Sequence, residues 1–122
     1  MSEIKITVNG LQLTGTAGQT IHDIALAGGI EIPTLCHSEL VEASGACGMC
    51  VVEAEGNPRL LRACSTVASD GLVIFTESER IRKNRKMALE LLLSDHTGDC
   101  VAPCTLACPA QTDCQGYVKF IA

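Results

Sequence analysis

The residues with chemistry in them are eight cysteines, and they fall into two groups. Cys36, Cys47, Cys50 and Cys64 follow a C-x10-C-x2-C-x13-C pattern. Cys100, Cys104, Cys108 and Cys114 crowd the end of the 122-residue chain, just after His96. Thiols at this density either pair as disulfides or ligate metal, and the compartment decides which. The N-terminus Met-Ser-Glu-Ile-Lys-Ile-Thr-Val has no basic stretch followed by an apolar one, so it does not read as a signal peptide. No apolar run approaches the roughly 18 residues of a membrane span. The expectation is a cytoplasmic chain with reduced thiols that ligate metal.

Zinc takes four thiolates, and Cys47-x2-Cys50 is a common half of such a site. Zinc modules usually show two close pairs, however, and here Cys36 and Cys64 stand alone on either side of one. An iron–sulfur cluster accepts this uneven set better, because a short turn can hold one iron while distant loops reach another. Gly45, Ala46 and Gly48 leave the backbone free to wrap closely and aim N–H groups at sulfur. A Rieske centre is excluded, since His37 has no partner histidine near Cys47 or Cys50.

The elements that must position these thiols are legible in part. Ile4, Ile6 and Val8 alternate with polar residues, Asn9-Gly10 signals a two-residue hairpin, and Leu11 and Leu13 alternate on the far side. Val8 then pairs with Leu11 and Ile6 with Leu13, with the apolar side chains on one face. Thr20 with Asp23 opens a helix that Gly28-Gly29 ends. Val51–Ala54 and Leu72–Thr76 read as strands, Gly56-Asn57-Pro58 and Thr14–Gly18 as turns. Thr76-Glu-Ser-Glu79 reads as a capping box for a helix reaching Ser94, with Ile81, Ala88, Leu91 and Leu92 inward. The result is an α+β chain: a small mixed sheet on one helix over residues 1–78, a connecting helix over 79–95 and a cysteine-rich segment over 96–122.

Other residues carry less. Arg80, Arg82, Lys83, Arg85 and Lys86 read as a solvated helix face, with docking to an acidic partner as the sharper alternative. His22 reads as a surface residue and Met49 as a shield for the metal. A net charge of −5 argues against nucleic acid as a partner. Aromatic residues make up 2% of the chain, so the small core must come from aliphatic side chains and a metal can supplement it. No phosphate loop, Ser-His-Asp set or paired carboxylates mark a catalytic site.

Ile32-Pro-Thr-Leu-Cys36, the spacing of the first four cysteines, Val51-Val-Glu, and Ser78-Glu-Arg-Ile-Arg-Lys leading to Leu-Leu-Leu-Ser-Asp-His96 together resemble a known family. It is the N-terminal region of the large iron–sulfur subunit of respiratory complex I, with the iron-only hydrogenases and NAD-linked formate dehydrogenases. The resemblance implies a β-grasp ferredoxin-like domain whose 2Fe–2S cluster is held by Cys36, Cys47, Cys50 and Cys64. In that family a 4Fe–4S motif of one histidine and three cysteines follows, and His96-x3-Cys100 fits its start. The segment then departs, because Cys100-x3-Cys104 replaces C-x2-C and Cys108 is additional.

The stretch Cys104 to Val118 is instead similar to the iron–sulfur domain of the glutamate synthase small subunit and of dihydropyrimidine dehydrogenase. Two readings follow. Cys100, Cys104, Cys108 and Cys114 complete one 4Fe–4S cluster with His96 competing, or they divide between two clusters completed by residues from outside the chain. His96 is otherwise a helix-end residue favoured by the dipole. The implied function is single-electron transfer within a cytoplasmic NAD(P)H-, hydrogen- or formate-linked oxidoreductase, with flavin and NAD(P) bound by partner domains or subunits. The rival is a zinc-stabilised β-grasp interaction module with no redox role.

Overall fold

A computed structural model describes residues 2–96 and 100–122. The Thr97–Asp99 part of the cysteine-rich segment lies outside the described residues, as does Met1. Strand β1, Glu3–Val8, and strand β2, Leu11–Thr16, form the expected antiparallel hairpin, with Ile6 opposite Leu13 and Val8 opposite Leu11. Asn9 and Gly10 both take positive φ, 51° and 84°, as a tight hairpin turn of this hand needs. Asn9 also ties the turn to the far side of the sheet. Its amide donates to Thr76 Oγ1 at 2.7 Å and its carbonyl oxygen accepts from Thr76 N at 2.9 Å. Thr14–Thr16 belong to β2, so the expected turn shrinks to Ala17-Gly18. Leu11 is exposed: helix α1 ends at Gly28 against Leu13, and Leu11 lies one pair further out.

Helix α1, Ile21–Ala27, starts at a complete capping box, in which Thr20 Oγ1 accepts from Asp23 N and Asp23 Oδ2 accepts from Thr20 N, both at 3.1 Å. Two further N–H groups of its first turn go to a distant segment: Ile21 N donates to Thr66 O and His22 N to Ala63 O, each at 3.0 Å. That segment covers the start of the helix. His22 is therefore buried, against the expectation of a surface position.

Strands β3, Val51–Ala54, β4, Leu61–Arg62, and β5, Val73–Phe75, complete a five-stranded sheet in the order β2-β1-β5-β3-β4. Only the β1–β5 pairing is parallel. One face of the sheet and α1 bury Ile4, Ile6, Val8, Ile21, Ile24, Val52 and Ile74, and the same cluster includes Cys50 and Cys64. A mixed sheet grasping one helix is the β-grasp arrangement.

Helix α2, Glu79–Ser94, is capped by Ser78, whose Oγ accepts from Ile81 N at 3.1 Å. The expected cap at Thr76 fails because Asn9 already engages that residue at the end of the sheet. Ile81 is buried as expected, but Leu91 and Leu92 are exposed. Helices α3, Pro103–Ala107, and α4, Cys114–Ile121, bury no residue. Among the described residues no helix is long and apolar enough to cross a membrane.

Candidate metal centre

Four thiols reach one end of the sheet by two routes. Cys36 and Cys47 lie half-buried in a stretch, residues 31–50, with no helix or strand. Cys50 immediately precedes β3, and its carbonyl accepts from Ala63 N at 3.0 Å, which brings Cys64 alongside. Cys50 and Cys64 are each 1% exposed, with their Sγ atoms 3.3 Å apart. Cys36 Sγ in turn receives hydrogen bonds from the backbone N–H and thiol of Cys47, from Ser44 Oγ at 3.8 Å and from the Ala46 N–H. Met49 N approaches Cys47 Sγ at 3.5 Å. The glycines beside these thiols act as expected: Gly45 and Gly48 both have positive φ, 61° and 72°.

The thiols thus form two pairs, Cys36 with Cys47 and Cys50 with Cys64. No three of them converge within 4.8 Å, as a single tetrahedral ion would require. Two pairs side by side suit two metal ions, each taking one pair. The environments differ as well. Donated N–H bonds from Cys47, then its thiol and Ser44, bring the Cys36 thiol down to about 7, so it is a ready thiolate near neutral pH. Burial, then the Cys50 thiol, pushes Cys64 up to about 11. A buried thiol of that kind gives up its proton when a cation replaces it.

Arg85 holds this end of the sheet together, although its neighbours in sequence suggested a solvated face. Its guanidinium is buried and donates to Met49 O at 2.9 Å, Val51 O at 3.1 Å, Thr76 O at 3.2 Å and Glu77 Oε1 at 3.0 Å. Met49 lies inside the Cys47–Cys50 turn, so α2 grips that turn through one side chain. Hydrogen bonds from Arg82 and, less strongly, Arg85 hold the Glu77 carboxyl below its ordinary value against a partial desolvation. The other basic residues of α2 are exposed.

Residues 1–79 match the family described as the 2Fe–2S iron–sulfur cluster binding domain. The chain belongs to this family. It is 36% identical over 100 residues to the mitochondrial NADH-ubiquinone oxidoreductase 78 kDa subunit of Candida albicans, which covers 82% of the chain and 14% of that subunit. Over 120 residues it is 39% identical to the NADP-reducing hydrogenase subunit HndD of Solidesulfovibrio fructosivorans, covering 94% of the chain and 20% of the relative. A crystal structure of an NAD+-reducing NiFe-hydrogenase superposes with a TM-score of 0.69 at 33% identity, over 78% of this chain and 41% of that one. The chain thus spans a fifth or less of the two curated relatives.

Beyond the 2Fe–2S domain the tail thiols are arranged differently. Cys100 and Cys104 are exposed, and Cys108 and Cys114 half-buried. The Thr112 N–H and hydroxyl lower the Cys108 thiol, while burial and then the neighbouring Cys104 and Cys108 raise Cys114. Cys104, Cys108 and Cys114 are therefore neighbours, but no three tail sulfurs gather within 4.8 Å. His96 follows the end of α2, exposed, with its N–H on Leu93 O at 3.3 Å. It lines a hollow with Cys47, Gly48, Ala88, Leu92 and Asp95, so it faces the first thiol group across the end of α2.

Proposed function

We propose that Cys36, Cys47, Cys50 and Cys64 are the ligands of the 2Fe–2S cluster and that the chain is a single-electron transfer module. The observation that carries this is the grouping of the thiols into two pairs, with the backbone N–H groups of Ala46, Cys47 and Met49 on the sulfurs of one pair. When bound, the cluster supplies reversible one-electron chemistry. The chain's own residues shape its surroundings. Donors on Ala46 and Cys47 stabilise negative charge on sulfur, the buried Cys50 and Cys64 keep water from one side, and Arg85 fixes the turn and adds positive charge nearby.

The names of the relatives support an oxidoreductase setting. The module works inside an NAD(P)H-, hydrogen- or formate-linked oxidoreductase in the cytoplasm, exchanging electrons with a flavin on another domain or subunit. Cys100, Cys104, Cys108 and Cys114 hold one or two 4Fe–4S clusters in the assembled protein, with His96 as a competing ligand. The exposed Leu91, Leu92 and Leu93 of α2 fit a chain that packs against neighbours there. We place domain boundaries after residues 78 and 95, a division supported by β5 ending at Phe75 and α2 at Ser94.

Metal analysis of anaerobically prepared protein tests this. The chain cut after residue 95 should hold two irons and two inorganic sulfides, and the full chain about four irons more for one tail cluster. Zinc in place of iron at the first site supports the interaction-module reading instead. Equal iron in both forms shows that the tail does not load on its own.

A further inference from the structure

One cluster of donor atoms other than the cysteine sulfurs has no assigned task in electron transfer. His22 and Asp23 stand in the first turn of α1, and His37 follows Cys36 in the irregular stretch. One donor atom from each lies within 4.8 Å of the other two, and no other such trio occurs among the described residues. The two imidazole rings are 4.6 Å apart and tilted by 58°. Both Nδ1 atoms are buried without a hydrogen-bond partner, and the His22 ring is 90% covered. Asp23 does not relieve His22: its Oδ1 is 3.9 Å from His22 Nδ1, beyond hydrogen-bond range. Its Oδ2 is engaged by Thr20 N.

Buried polar atoms are nearly always satisfied, so two orphan nitrogens beside a carboxylate need an explanation. A proton serves one of them. A cation serves both nitrogens and the carboxylate at once. We infer that His22, Asp23 and His37 form a binding site for a divalent transition cation of the zinc type, clipping α1 to the stretch that carries Cys36. Two imidazoles, one carboxylate and an open fourth position are a known zinc donor set. With ligand bonds of about 2.0–2.2 Å, tetrahedral donors stand roughly 3.3–3.6 Å apart. Closing the trio therefore asks for about 1 Å of movement, which side-chain rotation can supply. A surface hollow lined by Leu26, Glu31, Ile32, Pro33 and Thr34 reaches the His22 side of the trio. The clip matters because residues 31–50 have neither helix nor strand to hold His37 in place.

The test uses the cluster-loaded 122-residue chain in which Cys100, Cys104, Cys108 and Cys114 are changed to serine, so that tail thiols cannot compete. Zn²⁺ is titrated by calorimetry and Co²⁺ by visible spectroscopy. The expected result is one ion bound through nitrogen and oxygen alone, with the cluster absorption unchanged. His22→Gln and His37→Gln should each weaken binding by more than about 10-fold. His37 is only half-buried, so its variant keeps the test open if His22→Gln fails to fold. Absence of binding, equal binding by the variants, or cobalt bands showing thiolate ligation overturns the site.

Discussion

The two cysteine groups contain the same number of thiols but stand on different foundations. Cys50 and Cys64 belong to the core, and the hydrogen bonds that place them also build the sheet. In the tail, α3 and α4 bury nothing, and Cys104, Cys108 and Cys114 are neighbours without a core beneath them. A site supported by packed elements is preorganised before its metal arrives, whereas one on short exposed helices relies on the metal or a partner to gather it. The difference predicts that perturbing the scaffold reaches the first group and leaves the second unaffected.

Arg85 offers the largest such perturbation. Arg85→Met removes donors from three backbone carbonyls and a partner from Glu77 while keeping much of the side-chain volume. Breaking a buried charged network of this kind costs about 3 kcal/mol. We expect a much lower thermal midpoint, followed by the loss of cluster absorption, and a first site that loads iron less completely. Lys86→Met, one residue on, removes only an exposed contact with Glu90 at 3.8 Å and should shift stability by less than about 0.5 kcal/mol. Equal midpoints for the two variants would deny Arg85 its role.

Gly45 comes next. Its φ of 61° favours glycine, and an added Cβ would stand 2.7 Å from Ser65 Oγ, next to Cys64. Gly45→Ala should cost about 1–3 kcal/mol and disturb the cluster's visible spectrum. The tail contains the opposite case, Gln111, a non-glycine residue at φ 50°. Gln111→Gly removes local strain there without touching the core, so the midpoint of the 2Fe–2S domain should stay where it is.

How far the sequence revealed this contrast depended on how local each signal was. The Asn9-Gly10 hairpin and the Thr20–Asp23 box were legible because their partners lie within a few residues. His22 was misread because the chain that buries it, around Ala63 and Thr66, comes 40 residues later. Arg85 was hidden among other basic residues, yet a signal existed: it lies four positions after Ile81 and three before Ala88, on the helix face turned inward. Leu91 and Leu92 misled for the complementary reason, since apolar periodicity shows that a face wants cover but not whether this chain supplies it. The spacing of Cys36, Cys47, Cys50 and Cys64 pointed to a cluster. The pairing of Cys50 with Cys64 arises from the Cys50–Ala63 hydrogen bond, which no spacing encodes.

The smallest expected effect is also the most controlled comparison, because the same chemistry occurs in both regions. Thr20 caps α1 through Asp23 N at 3.1 Å, and Asp113 caps α4 through Gly116 N at 2.9 Å. Replacing such a cap by alanine costs a helix about 1 kcal/mol. Helix α1 carries Ile21, Ile24 and Ala25 in the core, so Thr20→Ala should lower the stability of the whole domain by that amount. Helix α4 buries nothing, so Asp113→Ala should fray only the tail. Chemical denaturation followed by cluster absorption should detect the first and miss the second, while amide exchange at α4 should register Asp113→Ala alone. If Asp113→Ala shifts the denaturation midpoint as far as Thr20→Ala does, the tail is coupled to the core and the contrast between the two cysteine groups fails.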